Sequence, residues 1–199
     1  MNKITLSALI MITAVMMGCG PKDRDGNTYK TVKIGEQLWL AENLKVVTED
    51  SWCYDNKPEN CEKYGRLYTW AAAMNLPKSC NDEWCGDENV FHQGICPEGF
   101  HIPSEEELEI MLMLTETKIQ SDTWLSGRNQ FGFSLLSSGL RSDKGEFQRL
   151  GGYAYLWSSS QRYGYSALSL FAISSDALMG VISKDYGAAV RCIQNYQDP

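Results

Sequence analysis

Seven cysteines constrain this chain more than any other feature, and the first of them decides how the other six are read. The chain opens Met1-Asn2-Lys3, runs from Ile4 to Gly18 without a charge, and reaches Cys19. The run is shorter than the roughly 20 apolar residues that a spanning helix needs. Residues 1–18 therefore read as an export signal that is removed, with Lys3 as its positive start. Export places the remainder where thiols oxidise, and an even set of cysteines there reads as a disulfide framework. The six are Cys53, Cys61, Cys80, Cys85, Cys96 and Cys192. Six cysteines allow about 15 pairings, so spacing has to arbitrate. Cys53 and Cys61 bracket the turn-rich Tyr54–Asn60, and Cys80 and Cys85 bracket Asn81–Trp84; both pairs would be local staples. Cys96 and Cys192 remain, and would close most of the domain into one loop. Zinc is the rival reading, but the sequence has no Cys-x-x-Cys pair.

Met16-Met17-Gly18-Cys19 resembles a bacterial lipobox. The resemblance implies cleavage before Cys19, diacylation of its thiol, and a membrane partner reached through that lipid. Gly20 does not resemble the inner-membrane retention signal of enteric bacteria, so the expected address is the outer membrane or cell surface. Gly20–Asn27 is polar, and residues 19–27 read as a tether. Asp23–Asn27 imitates a calcium loop only briefly. Thr28 stands where the loop needs Gly and Ile34 where it needs Glu, so a simple turn is expected.

Removing residues 1–18 from the 199 leaves 181, enough for one domain, expected over 28–196. Loss of Lys3 leaves 17 basic against 25 acidic residues, a net charge of −8. No Lys/Arg cluster offsets this, so nucleic acid is not an expected partner.

Val32 and Ile34 alternate within Tyr29–Ile34, which predicts a strand. Gly35-Glu36 then forms a tight turn, and Gln37–Leu40 returns. Leu67, Trp70, Ala71 and Met74 recur at helical spacing, which predicts a helix over Gly65–Leu76 stopped by Pro77. Ser104 and Glu107 form a capping box at the start of a second helix. Further strands are expected at Gly132–Leu136, Ala154–Ser158, Ala167–Ile173, Leu178–Ser183 and Ala188–Gln194. Two helices early and several strands late give an α+β domain with an irregular middle.

Several segments in order resemble one family, the Fibrobacter succinogenes major paralogous domain. They are Asp25–Leu44, Tyr64–Trp70, Gly94–Ser104 running into Glu107-Leu108, Gly132–Ser134, Gly139–Arg141, Leu156–Ser159 and Val190–Cys192. The resemblance implies a fold similar to the C-type-lectin-like and formylglycine-generating-enzyme fold: two helices, short antiparallel strands and long loops, stapled by disulfides. It favours the Cys96–Cys192 closure. It brings no established activity. The enzymatic branch of that fold works with a late cysteine pair, whereas only Cys192 lies late here. A cysteine consumed in a disulfide cannot supply a thiolate.

Other chemistry is sparse. No Gly-x-Ser-x-Gly nucleophile turn is present. Of the two histidines, His92 and His101, the second is expected to hydrogen-bond a loop carbonyl. Asp82, Glu83, Asp87 and Glu88 are the best calcium candidates, although a solvated acidic loop explains them equally well, and no cofactor or metal is expected. Trp39, Trp70 and Trp157 lie in periodic segments and are expected in the core. Arg141 and Arg191 are expected in structural salt bridges. Trp52, Tyr54, Trp84, Trp124, Tyr163 and Tyr165 fall in predicted loops, where recognition residues concentrate. Flat aromatics stack on sugar rings or anchor a protein partner. The sequence thus points to a non-catalytic, lipid-anchored surface module binding a glycan or protein. An accessory part of a cell-envelope assembly is the alternative, and an enzyme of the formylglycine-generating type a second one.

Overall fold

The structure, a computed structural model, describes residues 20–86, 92–115, 133, 135–173 and 176–196. The export signal, Cys19, Asp87, Glu88 and Trp124 lie outside the described residues.

The N-terminal hairpin forms as its alternation predicts. Strand β1 (Thr31–Ile34) pairs with β2 (Gln37–Leu40) across the Gly35-Glu36 turn. Then come β3 (Ser51–Trp52), α1 (Pro58–Tyr64), β4 (Leu67–Tyr68) and α2 (Trp70–Met74). Helix α1 starts inside the Cys53–Cys61 stretch that reads as a loop and runs on to Tyr64. Pro58 fits its first turn, where an N–H has no helical partner. Helix α2 is shorter than the expected Gly65–Leu76, because Leu67 and Tyr68 are drawn into a ladder opposite Trp52 and Ser51. Thr69 caps it by accepting from the Ala72 amide, and Asn75 ends it in the left-handed region.

Strand β5 (Phe100–His101) precedes α3 (Glu105–Thr115). The capping box is reciprocal: the Glu107 amide donates to Ser104 Oγ at 3.2 Å, and the Ser104 amide to Glu107 Oε2 at 2.9 Å. A small hairpin, β6 (Leu140–Arg141) and β7 (Phe147–Gln148), leads to β8 (Tyr153–Arg162), β9 (Ser166–Ile173), β10 (Asp176–Ser183) and β11 (Ile193–Gln194). Of the expected Gly132–Leu136 strand, Gly132 and Ser134 lie outside the described residues, and Phe133 and Leu135 are buried. Ala188–Gln194 shrinks to β11, with Ala188 and Ala189 making only isolated bridges to Tyr68 and Leu156. The described domain is mixed α and β with three α-helices rather than two.

One sheet, ordered β1-β2-β11-β5, brings the first and last described strands together. The Cys96–Cys192 disulfide fastens the approach to β5 beside β11. Cys53–Cys61 and Cys80–Cys85 are the other two bridges. A second sheet, β10-β9-β8, lies between two apolar clusters. Trp70 and Trp157 anchor one cluster and Trp39 the other, all fully buried. Each indole N–H finds an acceptor, Ser158 O for Trp70, Tyr68 O for Trp157 and Gln37 Oε1 for Trp39, as buried indoles must.

Residues 20–27 are not a slack tether. The buried Asp23 carboxylate accepts from the Asp25 and Asn27 amides, from Asn27 Nδ2 and, at 2.6 Å, from the Tyr29 hydroxyl. The imitation calcium loop is therefore a side-chain-organised turn, tied to the core through Tyr29. Burial first, then the Asp23 carboxylate, push the Tyr29 phenol far above its usual range.

The two family-motif arginines find partners other than the expected carboxylates. Arg191, fully buried, donates to Asn43 Oδ1 and to the carbonyls of Ala41 and Phe133, and lies over the Phe133 ring. Arg141 lies 3.9 Å above the Trp52 ring. Guanidinium planes suit both arrangements, since they stack while their edges donate.

Candidate binding site

The site is built around Lys184, the residue that follows β10. Its side chain is fully buried, and its ammonium stands 4.4 Å over the Trp70 ring. Nζ lies 3.0 Å from Cys80 O, 2.9 Å from Glu83 O, 2.7 Å from Gly164 O and 2.7 Å from Gln161 Oε1. Four neutral oxygens thus share three protons, which is how a cation survives removal from water. Burial still pushes its pKa down to about 8, against the Glu83 carboxylate, which raises it.

Those oxygens belong to two segments far apart in sequence. Cys80 and Glu83 sit in the loop closed by the Cys80–Cys85 disulfide, and Gly164 in the turn between β8 and β9. Gln161 adds a second clamp: its amide donates to Cys85 O at 2.6 Å while its Oε1 accepts from the Cys85 amide at 3.1 Å. Gly164 permits the close approach. A Cβ there would stand 3.3 Å from Asp82 O and 3.5 Å from Glu83 Cα, so backbone lies on backbone.

The outside of this clamp carries Trp84, Tyr163 and Tyr165, which are 48 %, 69 % and 63 % exposed. The two tyrosine rings stack with centroids 6.3 Å apart and planes 19° from parallel. Asp82, Glu83 and Asp185 make the neighbourhood acidic. Burial, then the Asp82 charge, raise the Asp185 carboxyl above its usual value. The surface therefore suits neutral or cationic ligands rather than anionic ones.

The structure divides the six aromatic candidates. Trp84, Tyr163 and Tyr165 are held on two clamped loops. Trp52 lies elsewhere, half-buried in β3 beneath Arg141. Tyr54 is no surface residue: it is 7 % exposed and its ring packs 5.1 Å from Phe147. It opens a short 3-10 turn, Tyr54–Asn56, just ahead of α1. Trp124 lies outside the described residues. Sequence reading missed Lys184 and Gln161. A lysine next to Asp185 carries the signature of a solvated turn, and only the distant loop gives it another role. Gly164 between two tyrosines was the one local sign of a tight turn.

His101 has partners other than a loop carbonyl. Nδ1 lies 2.8 Å from Asn195 Oδ1, and Nε2 3.0 Å from both oxygens of Glu107. Glu107 thus serves helix cap and histidine together. Near it, a cleft of about 230 Å³ opens between β2 and β11, lined by Glu36, Gln37, Gln194, Asn195 and Tyr196. Gln37 is already engaged with Glu107 O and Asn195 with His101, so two of its amides serve the fold. Among the described residues no three His, Cys, Asp or Glu side chains form a group able to hold a metal. Nor is any helix among them long and apolar enough to cross a membrane.

These features define a disulfide-closed α+β domain that displays aromatic side chains on braced loops. The chain belongs to the Fibrobacter succinogenes major domain family, whose profile matches residues 32–194. No curated protein and no solved structure matches it.

Proposed function

We propose that this protein is a lipid-anchored binding module of the bacterial cell surface, held at Cys19 in the outer membrane after removal of residues 1–18. Its domain is C-type-lectin-like, a reading supported by the late disulfide that joins the β5 approach to the C-terminal strand. It binds a neutral glycan or a protein segment without chemistry. The observation that carries this reading is the exposure of Trp84, Tyr163 and Tyr165 on two loops that Lys184 bonds together. Exposed aromatics on prearranged loops lose little entropy on binding. The Cys96–Cys192 bond supports a non-catalytic role, because it consumes the late cysteine that the enzymatic branch would need.

A glycan and peptide array probed with the exported, oxidised protein tests the reading. Binding that falls at least about tenfold in Trp84→Ala and in Tyr163→Ala supports it, since that loss equals about 1.4 kcal/mol. Binding unaffected by either variant rejects the aromatic face as the site. Recovery of one stoichiometric envelope partner, with no glycan bound, would favour the accessory role in an assembly.

A further inference from the structure

Strand β10 is the outer strand of the β10-β9-β8 sheet. Its inner edge is fully used: eight residues pair with β9, from Asp176 opposite Ile173 to Ser183 opposite Ser166. The Lys184 amide donates to Tyr165 O one step beyond, which sets the phase of the ladder. In an antiparallel ladder alternate residues turn their N–H and C=O to the same side. Asp176, Leu178, Gly180 and Ile182 therefore bond to β9, while Ala177, Met179, Val181 and Ser183 turn theirs outward. Among the described residues no strand pairs with that outer edge. Edge strands are ordinarily blunted by Lys, Pro, bulges or shortness. This one is eight residues long, straight in register, and charged only at Asp176. It exposes Leu178 by 46 % and Val181 by 48 %.

We propose that β10 pairs with β10 of a second copy of this chain, antiparallel and centred on Gly180, so that two three-stranded sheets become one of six strands. A continuous sheet needs the two-fold axis perpendicular to it, which sets residues of like face opposite each other. Centring on Gly180 places Met179 opposite Val181, Leu178 opposite Ile182 and Ala177 opposite Ser183. Both exposed apolar side chains gain apolar partners, and no like charges meet. Centring on Met179 would set Asp176 against Ile182, and centring on Val181 would set Met179 against Ser183. The central pair is of the non-hydrogen-bonded kind, where the backbones approach to about 4.5 Å. Glycine suits that place, because the chain's own Phe171 ring already covers the position a Cβ would take. The outward amides of Ala177, Met179, Val181 and Ser183 then each meet a carbonyl of the other copy, that of Ser183 accepting as well from the Tyr186 amide of its own chain.

Sedimentation equilibrium of the full, oxidised chain in density-matched detergent, up to about 100 µM, tests this. We expect a dimer in the parent and monomers in Leu178→Lys and Val181→Pro. The proline removes an outward N–H and leaves the β9 ladder intact. Melting of Leu178→Lys should stay within about 3 °C of the parent, because the exposed site contributes little to the monomer. A parent that is monomeric at the highest concentration overturns the proposal, as does a dimer that survives in Leu178→Lys. If Val181→Pro fails to fold, Leu178→Lys alone decides.

Discussion

Lys184 and Gly164 are joined by a 2.7 Å hydrogen bond, and through it the Tyr163–Tyr165 turn is held by the same cation that holds the Cys80–Cys85 loop. The loops that carry Trp84, Tyr163 and Tyr165 are therefore tied to the core through a buried charge.

Replacing that cation tests the coupling. Lys184→Met leaves the carbonyls of Cys80, Glu83 and Gly164 without their donor. Each orphaned buried acceptor costs about 1–3 kcal/mol, so a loss of at least about 3 kcal/mol is expected in urea unfolding. Ligand binding should fall with it even under conditions where the variant remains folded. Full retention of stability would show that water takes the ammonium's place.

Tyr54 and Trp84 should behave oppositely. Tyr54→Ala removes a buried ring packed on Phe147 and is expected to cost about 3–5 kcal/mol while leaving array binding intact in the folded fraction. Trp84→Ala removes a half-exposed ring and should change stability by no more than about 0.5 kcal/mol while lowering binding at least about tenfold. Chemical denaturation beside the array distinguishes the two.

The disulfides should rank by loop size. The Cys96–Cys192 pair spans 96 residues and, on the chain-entropy account, contributes about 4–5 kcal/mol. The Cys53–Cys61 and Cys80–Cys85 pairs span 8 and 5 residues and contribute about 2–3 kcal/mol each. Paired Cys→Ala variants should melt in that order, with the Cys96/Cys192 variant lowest.

Alkaline pH should weaken the fold through its buried phenols. Burial pushes the pKa of Tyr29 and of Tyr68 well above the ordinary value. In the unfolded chain each ionises near pH 10. Their contribution is then fully present below about pH 10 and is lost as pH rises beyond it, because only the unfolded state gives up these protons. Lys184 acts in the other direction, since its folded value lies near 8 and its unfolded value near 10.4. Between those values the unfolded chain binds more protons, so this group makes stability rise with pH. Unfolding midpoints should accordingly hold or rise from pH 8 to 10 and fall above it. In Tyr29→Phe the fall above pH 10 should be shallower.

Much of the local architecture was legible in the residues. Ser104 and Glu107 announced the start of α3, because a capping box involves only atoms three residues apart. Gly35-Glu36 announced the hairpin for the same reason. The end of α2 at Met74 lay close to the expected stop, but its beginning was lost to β3, a partner that no helical period reveals. The candidate site was half legible. Exposed Trp84, Tyr163 and Tyr165 followed from turn-rich surroundings, yet Tyr54 shared those surroundings and is buried.

What the sequence determined on its own is short-range: the caps, the turns, the alternation of the main strands and the burial of Trp39, Trp70 and Trp157. Each depends on a side chain and its near neighbours along the chain. Only the tertiary structure decided that Lys184 would sit inside, that Arg191 would bond Asn43 and backbone carbonyls, and that the Tyr163–Tyr165 turn would meet the Cys80–Cys85 loop. A charge is buried only where distant segments bring enough oxygens to replace its water, and the order of residues along the chain does not record which segments those will be.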